Sequence, residues 1–299
     1  MKTIHSIGSP QQAASARLPL IGLVLTLVAA TVGAQTFTTL DYPDGFNTQA
    51  YGINERDDIV GRWDDAAGTT HGFLLRDGVF TAIDYPDAVF TMSIDINNRG
   101  EIVGRYLDQN YVSHGYLFAK GKYTTVDFPG APDTRIRGID DLGRITGNYR
   151  TTDVDEQGFL LDRKGFHTIT YSGSTTTDTW DIDVLGRMVG DYSSPDGVVH
   201  GYKLVKGAFT TIDYPDATVG SSVRSINILG AMVGVWAGDD YFEHGFLLTP
   251  GGLVPIDIPG TLETSPQRIT TRGVIVGVFT DANGNYHGFV RTPARDEDK

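Results

Sequence analysis

From residue 37 onward, apolar residues come in short runs that alternate with polar ones. Gly, Asn, Asp or Pro closes each run within about eight positions. This is the pattern of short, half-buried strands joined by tight turns. No segment beyond the N-terminal leader carries capped apolar positions at helical spacing. In one stretch, Ile94-Asp95-Ile96 ends a strand and Asn97-Asn98-Arg99-Gly100 makes the turn. Strands then follow over Glu101 to Tyr106, His114 to Phe118 and, after Lys120-Gly121, Tyr123 to Phe128. Glycine at position 100 supplies the positive φ of a bulged hairpin. It returns at Gly143, Gly186, Gly230 and Gly273, and Asp57, which tolerates that conformation, takes its place in the first copy.

That four-strand pattern repeats. The tripeptides His71-Gly72-Phe73, His114-Gly115-Tyr116, Gln157-Gly158-Phe159, His200-Gly201-Tyr202, His244-Gly245-Phe246 and His287-Gly288-Phe289 follow one another at steps of 43, 43, 43, 44 and 43 residues. A glycine ladder (Gly61, Gly104, Gly147, Gly190, Gly234, Gly277) keeps the same steps, and its one extra residue falls between Asp213 and Gly234. A third ladder is Phe-Thr-Thr-Ile-Asp-Tyr-Pro at Phe209 to Pro215, with variants beginning at Phe37, Phe80, Tyr123, Phe166 and Leu253. Six four-stranded units of this length predict an all-β, six-bladed β-propeller, with a solenoid as the other architecture for such repeats.

Proline sets the phase. It cannot donate to a central ladder, so the segment holding Pro255 is the outer strand of its unit, and Pro43, Pro86, Pro129 and Pro215 lead to the next. The inner strand then carries Ile53, Ile96, Ile139, Ile182, Ile226 and Ile269. The mature chain is expected to begin near Phe37 on an outer strand and to end near Phe289 on a third strand. Pairing Phe37 to Asp41 with His287 to Arg291 would complete the last blade and seal the ring, removing two open edges.

The Phe-Thr-Thr-Ile-Asp-Tyr-Pro, Ile-Asn-x-x-Gly-x-Ile-Val-Gly-x-Tyr and His-Gly-Phe-Leu-Leu motifs together resemble the bacterial extracellular repeat known as the HAF family. The likeness covers residues 37 to about 291, with glycine where the family's name has alanine. It implies secretion and assigns no reaction. The N-terminus agrees. Lys2 and Arg17 precede an apolar run from Leu18 to Ala30 and then Val32-Gly33-Ala34, which reads as a signal peptide over 1–34. The domains are therefore a leader (1–34), a propeller (35–293) and a polar tail (294–299), and the mature chain is expected to be secreted or periplasmic, with no membrane attachment after cleavage.

Composition narrows the chemistry. The formal charge of −13, or −15 without the leader, disfavours nucleic acid and anionic membranes as partners. With no cysteine there are no disulfides, thiolate metal sites or cysteine nucleophiles. Motifs for serine hydrolases, phosphate loops and zinc proteases are absent. Asp281 to Asn285 resembles part of a calcium loop but lacks its closing glutamate, so it reads as a turn, and no cofactor or metal is expected. The repeated histidines and the aspartates Asp41, Asp84, Asp127, Asp213 and Asp257 read as internal hydrogen-bonding partners, and the ladder glycines as points of close approach between sheets.

A ligand site should lie where the copies differ. Before the inner-strand isoleucine the units read Gly52, Asp95, Gly138, Asp181, Ser225 and Arg268. One place earlier they read Tyr51, Ile94, Arg137, Trp180, Arg224 and Gln267. Both rows are expected at one mouth of the channel. Tyr51, Arg137, Trp180, Arg224 and Arg268 are the candidate ligand residues, suited to stacking on and hydrogen-bonding a sugar. The function expected is a monomeric binding or scaffold module for a glycan or envelope polymer. The alternative is a glycan-cleaving enzyme, glycoside hydrolase or polysaccharide lyase, with Asp95 and Asp181 as acid and base.

Overall fold

The computed structural model describes residues 36–151 and 154–293, so the leader (1–34) and the tail (294–299) lie outside the described residues. Twenty-four strands and no helix occur among them. After β1 (Thr36–Leu40) come β2 (Phe46–Ile53), β3 (Ile59–Asp64), β4 (Thr70–Arg76) and β5 (Val79–Ile83). The second copy holds β6 (Phe90–Ile96), β7 (Ile102–Leu107), β8 (Ser113–Ala119) and β9 (Lys122–Thr125). The third holds β10 (Asp133–Ile139), β11 (Ile145–Thr151), β12 (Val154–Asp162) and β13 (Gly165–Ile169). The fourth holds β14 (Thr176–Ile182), β15 (Met188–Ser193), β16 (Val199–Val205) and β17 (Ala208–Ile212). The fifth holds β18 (Gly220–Ile226), β19 (Met232–Ala237), β20 (Glu243–Thr249) and β21 (Gly252–Ile256). The sixth holds β22 (Glu263–Ile269), β23 (Ile275–Thr280) and β24 (Tyr286–Thr292).

Successive strands pair antiparallel. Three sheets run in chain order, β2 to β5, β6 to β9 and β10 to β13, and a fourth reads β1-β24-β23-β22. Six separate sheets were expected, and the structure differs in one place: β14 to β21 form a single eight-stranded sheet, its halves joined by one parallel bridge between Val199 and Gly220. The cause is local. This is the junction with the extra residue, and Gly220 has no side chain to hold the strands apart; a Cβ there would lie 2.8 Å from Val199. β1 pairs with β24, Phe37 opposite Arg291 and Leu40 opposite Gly288. β22 packs against β2, and the backbone N–H of Thr271 donates to Glu55 (2.6 Å). Pro255 lies on β21, which pairs only with β20, so its missing N–H costs nothing.

The sheets are fastened by a ring stack built from the repeated motifs. After five of the six outer strands an aromatic lies flat on the second-strand aromatic of the following copy: Tyr42 on Trp63 (3.9 Å between centroids), Tyr85 on Tyr106 (3.6 Å), Phe128 on Tyr149 (3.6 Å), Tyr171 on Tyr192 (3.7 Å) and Tyr214 on Trp236 (4.5 Å). The repeated histidine covers the other face of Trp63, Tyr106, Tyr192 and Trp236. Its Nδ1 meets the repeated aspartate, as in His71–Asp84 (3.1 Å), His114–Asp127 (2.7 Å), His200–Asp213 (2.9 Å) and His287–Asp41 (2.9 Å). Where the third copy replaces both partners, Thr170 donates to Gln157 at 2.6 Å, so the bond survives the exchange. Among the described residues no helix is long and apolar enough to cross a membrane.

Candidate functional site

Each inner strand carries a β-bulge at the same place, between Ala50 and Gly52, Ser93 and Asp95, Ile136 and Gly138, Thr179 and Asp181, Val223 and Ser225, and Pro266 and Arg268. A bulge inserts an unpaired residue and re-aims its side chain. The unpaired residues are Tyr51, Ile94, Arg137, Trp180, Arg224 and Gln267, and all six line one cavity of about 410 Å3. The ladder glycines make this possible. A Cβ on Gly61, Gly104, Gly190 or Gly277 would lie 1.9–2.4 Å from the bulged strand's carbonyl oxygen and 2.6–2.9 Å from the third-strand ring. This corrects the expectation that these glycines mark close approach between sheets: the crowding is within each sheet, and it is what permits the bulge.

The bulge also separates the two variable rows. Of the other row, Asp95, Asp181 and Ser225 line a second cavity of about 280 Å3, walled by the inner-strand turns, instead of sharing the first mouth. Arg268 lines both cavities. Its guanidinium makes ion pairs of 2.9 Å with Asp95 and 2.9 Å with Asp181 and donates to the Arg137 carbonyl at 2.9 Å. All three side chains are buried. Asp95 also accepts from the Ile139 N–H (2.8 Å), and Asp181 from Ser225 Oγ (2.8 Å) and the Ile226 N–H (3.0 Å). Burial raises the Asp95 pKa against the pull of Arg268, and Asp181 adds to the rise. Both carboxylates line the second cavity, and together they hold Arg268 as a bar between the two cavities.

Four of the five candidate ligand residues (Tyr51, Arg137, Trp180, Arg224) are bulge residues, and Arg268 forms the floor. Trp180 stands between two guanidiniums, with Arg137 3.9 Å and Arg224 3.8 Å from its ring centre. These contacts occupy the indole, so stacking a sugar on Trp180, as the sequence suggested, gives way to a cation–π stack that aligns two guanidiniums. Trp180 Nε1 donates to Asp191 (2.7 Å), Arg137 Nε to Asn148 (3.2 Å), and Arg224 pairs with Glu243 (3.2 Å). The Tyr51 hydroxyl donates to Gln49, and burial raises its pKa. Burial lowers the pKa of Arg137, and the like charge of Arg224 lowers it further.

One carboxylate pair escaped the sequence reading. Asp178 and Asp191 lie opposite each other on β14 and β15, and both border a third cavity of about 280 Å3 that shares Trp180 and Arg224 with the first. Asp191 is held by Trp180 and by Ser222 (2.5 Å). Asp178 Oδ1 is buried without a partner among the described residues, and burial with the neighbouring Asp191 charge pushes its pKa up to about 7. The only sequence signal was alternation, which puts Asp178 two positions before Trp180. Among the described residues no three His, Asp or Glu gather as a metal site would need.

No protein-family model and no curated protein sequence matches the chain. Solved structures do. The fungal lectin from Aleuria aurantia, described as a six-bladed β-propeller with a fucose recognition mode, is 10% identical with a TM-score of 0.54, over 84% of this chain and 93% of its own. SapL1 lectin in complex with α-methyl fucoside is 12% identical, TM-score 0.52, over 78% of this chain and 88% of its own. A variant of AofleA from Arthrobotrys oligospora is 12% identical, TM-score 0.51, over 89% and 86%. At these identities the likeness establishes the fold, an all-β propeller.

Proposed function

We propose that this chain is an exported carbohydrate-binding propeller of the HAF repeat type, taking a glycan or cell-envelope polymer at the cavity formed by the bulge residues. The observation that carries the reading is convergence: Tyr51, Arg137, Trp180 and Arg224, from four different repeats, meet in one cavity of about 410 Å3 over Arg268. The symmetric positions maintain packing, whereas these asymmetric ones supply donors and acceptors at a single place. Lectin function among the structural neighbours supports a sugar as the class of ligand. We count the eight-stranded sheet as two blades, which makes six, and read the β1–β24 pairing as the seal of the ring; the six-bladed neighbour supports both.

Chemistry in the cavity favours hydroxyls and carboxylates. The Arg137–Trp180–Arg224 stack fixes two guanidiniums, which grip such oxygens in a planar fork, while Gln49, Gln267 and Glu263 add neutral and acidic partners. The test is calorimetric titration of the mature chain with digalacturonate, cellobiose and α-methyl fucoside, each repeated on Trp180→Ala. We expect at least one sugar to bind, and Trp180→Ala, which frees both arginines from their stack, to abolish that binding while the chain stays folded. Binding of none of the three, or binding unchanged by the substitution, would remove the site.

A further inference from the structure

Two tyrosines occupy a backbone position that glycine holds elsewhere. The turn between second and third strands closes in the same way in five described copies, with a backbone bond back to the turn's first residue: Gly68 to Asp65, Tyr111 to Asp108, Gly197 to Ser194, Tyr241 to Gly238 and Gly284 to Asp281. This residue is left-handed each time, with φ of 82° at Gly68, 89° at Gly197 and 87° at Gly284, and of 62° at Tyr111 and 64° at Tyr241. Glycine adopts it freely, whereas a bulky side chain is strained there. Burial does not repay the strain, because Tyr111 is 75% and Tyr241 77% exposed, and Val112 and Phe242 beside them are exposed as well. Strain held without a packing reward points to use.

The place of these turns says what the use is. Glu243 and Tyr286, which leave the equivalent turns of the fifth and sixth copies, line the cavity of about 410 Å3, and the repeat carries the matching turns of the other copies to the same end of their sheets. The two tyrosines come from copies three repeats apart, which in a six-membered ring are opposite sides. The indole at the centre is covered by arginines, while the tyrosine rings stand free. A free ring with a negative π face meets the C–H face of a pyranose well.

We infer that the ligand is an extended polysaccharide, lying across the mouth with outer sugar residues stacked on Tyr111 and Tyr241 and an inner one over the arginines. This rests on the carbohydrate-binding reading above and adds length to it: a chain that spans the mouth gains from three linked contacts, a disaccharide from one.

The experiment compares soluble polygalacturonate and a soluble β-1,4-glucan with their disaccharides, by calorimetry, on the mature chain and on Tyr111→Gly, Tyr241→Gly, the double variant and Tyr111→Phe. For the polymer that binds, each single glycine variant should weaken affinity by roughly five- to tenfold and the double variant by more than about fiftyfold, with Tyr111→Phe unchanged. Disaccharide affinity should not move. Relief of the left-handed strain should raise Tm by about 2–4 °C per glycine. Polymer affinity unchanged in the double variant while the disaccharide still binds would overturn the inference and leave the cavity reading standing. A fall in Tm would also overturn it, since the tyrosines would then brace the turns. Binding of neither disaccharide nor polymer by the unaltered chain would overturn both.

Discussion

Arg268 of the last repeat places its guanidinium 2.9 Å from the carboxylate of Asp95 in the second repeat. Through the equal contact with Asp181, residues far apart in sequence are tied at one buried point. Removing one member of such a cluster leaves uncompensated charge in the interior, which costs far more than the cluster contributes over an apolar replacement. Arg268→Ala should therefore destabilise the chain by about 3–5 kcal/mol. Adding Asp95→Asn and Asp181→Asn should restore most of that loss. Urea unfolding of the single and triple variants checks it, and a triple variant no more stable than Arg268→Ala would show that the cluster is not held by charge.

The ring stack that fastens the sheets fails once. At the junction before β22, isoleucine replaces the aromatic, and a cavity of about 220 Å3 opens among Phe37, Ile258, Phe279 and Phe289. The backbone is ready for the larger residue, since the Ile258 N–H donates to Thr264 at 3.0 Å just as Tyr42 N–H donates to Thr48 at 2.8 Å. Ile258→Tyr should fill the gap, stack on Phe279 and stabilise the chain by about 0.5–2 kcal/mol. Calorimetric melting measures it; a lower Tm would mean that the cavity does not match the ring.

These particulars show what could be read from sequence. The repeat, its phase and the divergent row with Trp180 were legible because packing imposes the same residue at the same step, and because proline excludes a central strand. The bulge was not. Alternation of apolar and polar residues assumes one backbone register, so Arg224 and Ser225, or Trp180 and Asp181, read as neighbours at a single mouth. The extra residue sends them to different cavities. The glycine that allows the bulge was visible as a ladder, but its crowding partner, a carbonyl on the adjacent strand, exists only once strands are paired. Likewise Asp178 and Asp191, thirteen positions apart, became a pair through the register of β14 and β15.

That pair predicts a pH dependence. The pKa of Asp178 in the fold, about 7, is above its ordinary value near 4, so the folded chain binds this proton more tightly than the unfolded chain does. Stability from this group therefore falls as pH rises from about 4 to about 7, and the deficit is full above that range. Asp178→Asn keeps the shape and removes the charge. It should stabilise the chain at pH 8 by on the order of 4 kcal/mol and leave it nearly unchanged at pH 4. Denaturant midpoints at the two pH values test this, and equal differences at both would place the effect elsewhere than in ionisation.

The N-terminal strand gives the last test. β1 is five residues long and belongs by sequence to the start of the chain, yet all its pairing is with β24 at the other end. Phe37 is buried against Phe289 (5.9 Å between centroids), and Leu40 packs with Ala50, Ile53 and Phe73 of the first repeat. If this strand seals the ring, losing it exposes the edge of β24 along its length and opens two apolar clusters at once. Deleting residues 37–43 should then lower the stability of the whole domain in one cooperative transition, by more than the about 2–5 kcal/mol that truncating a single buried leucine costs. It should also promote association through the bared edge. Hydrogen exchange distinguishes the possibilities. Faster exchange spread over all the repeats supports closure, whereas faster exchange confined to β24 would show an ordinary edge strand and an open array.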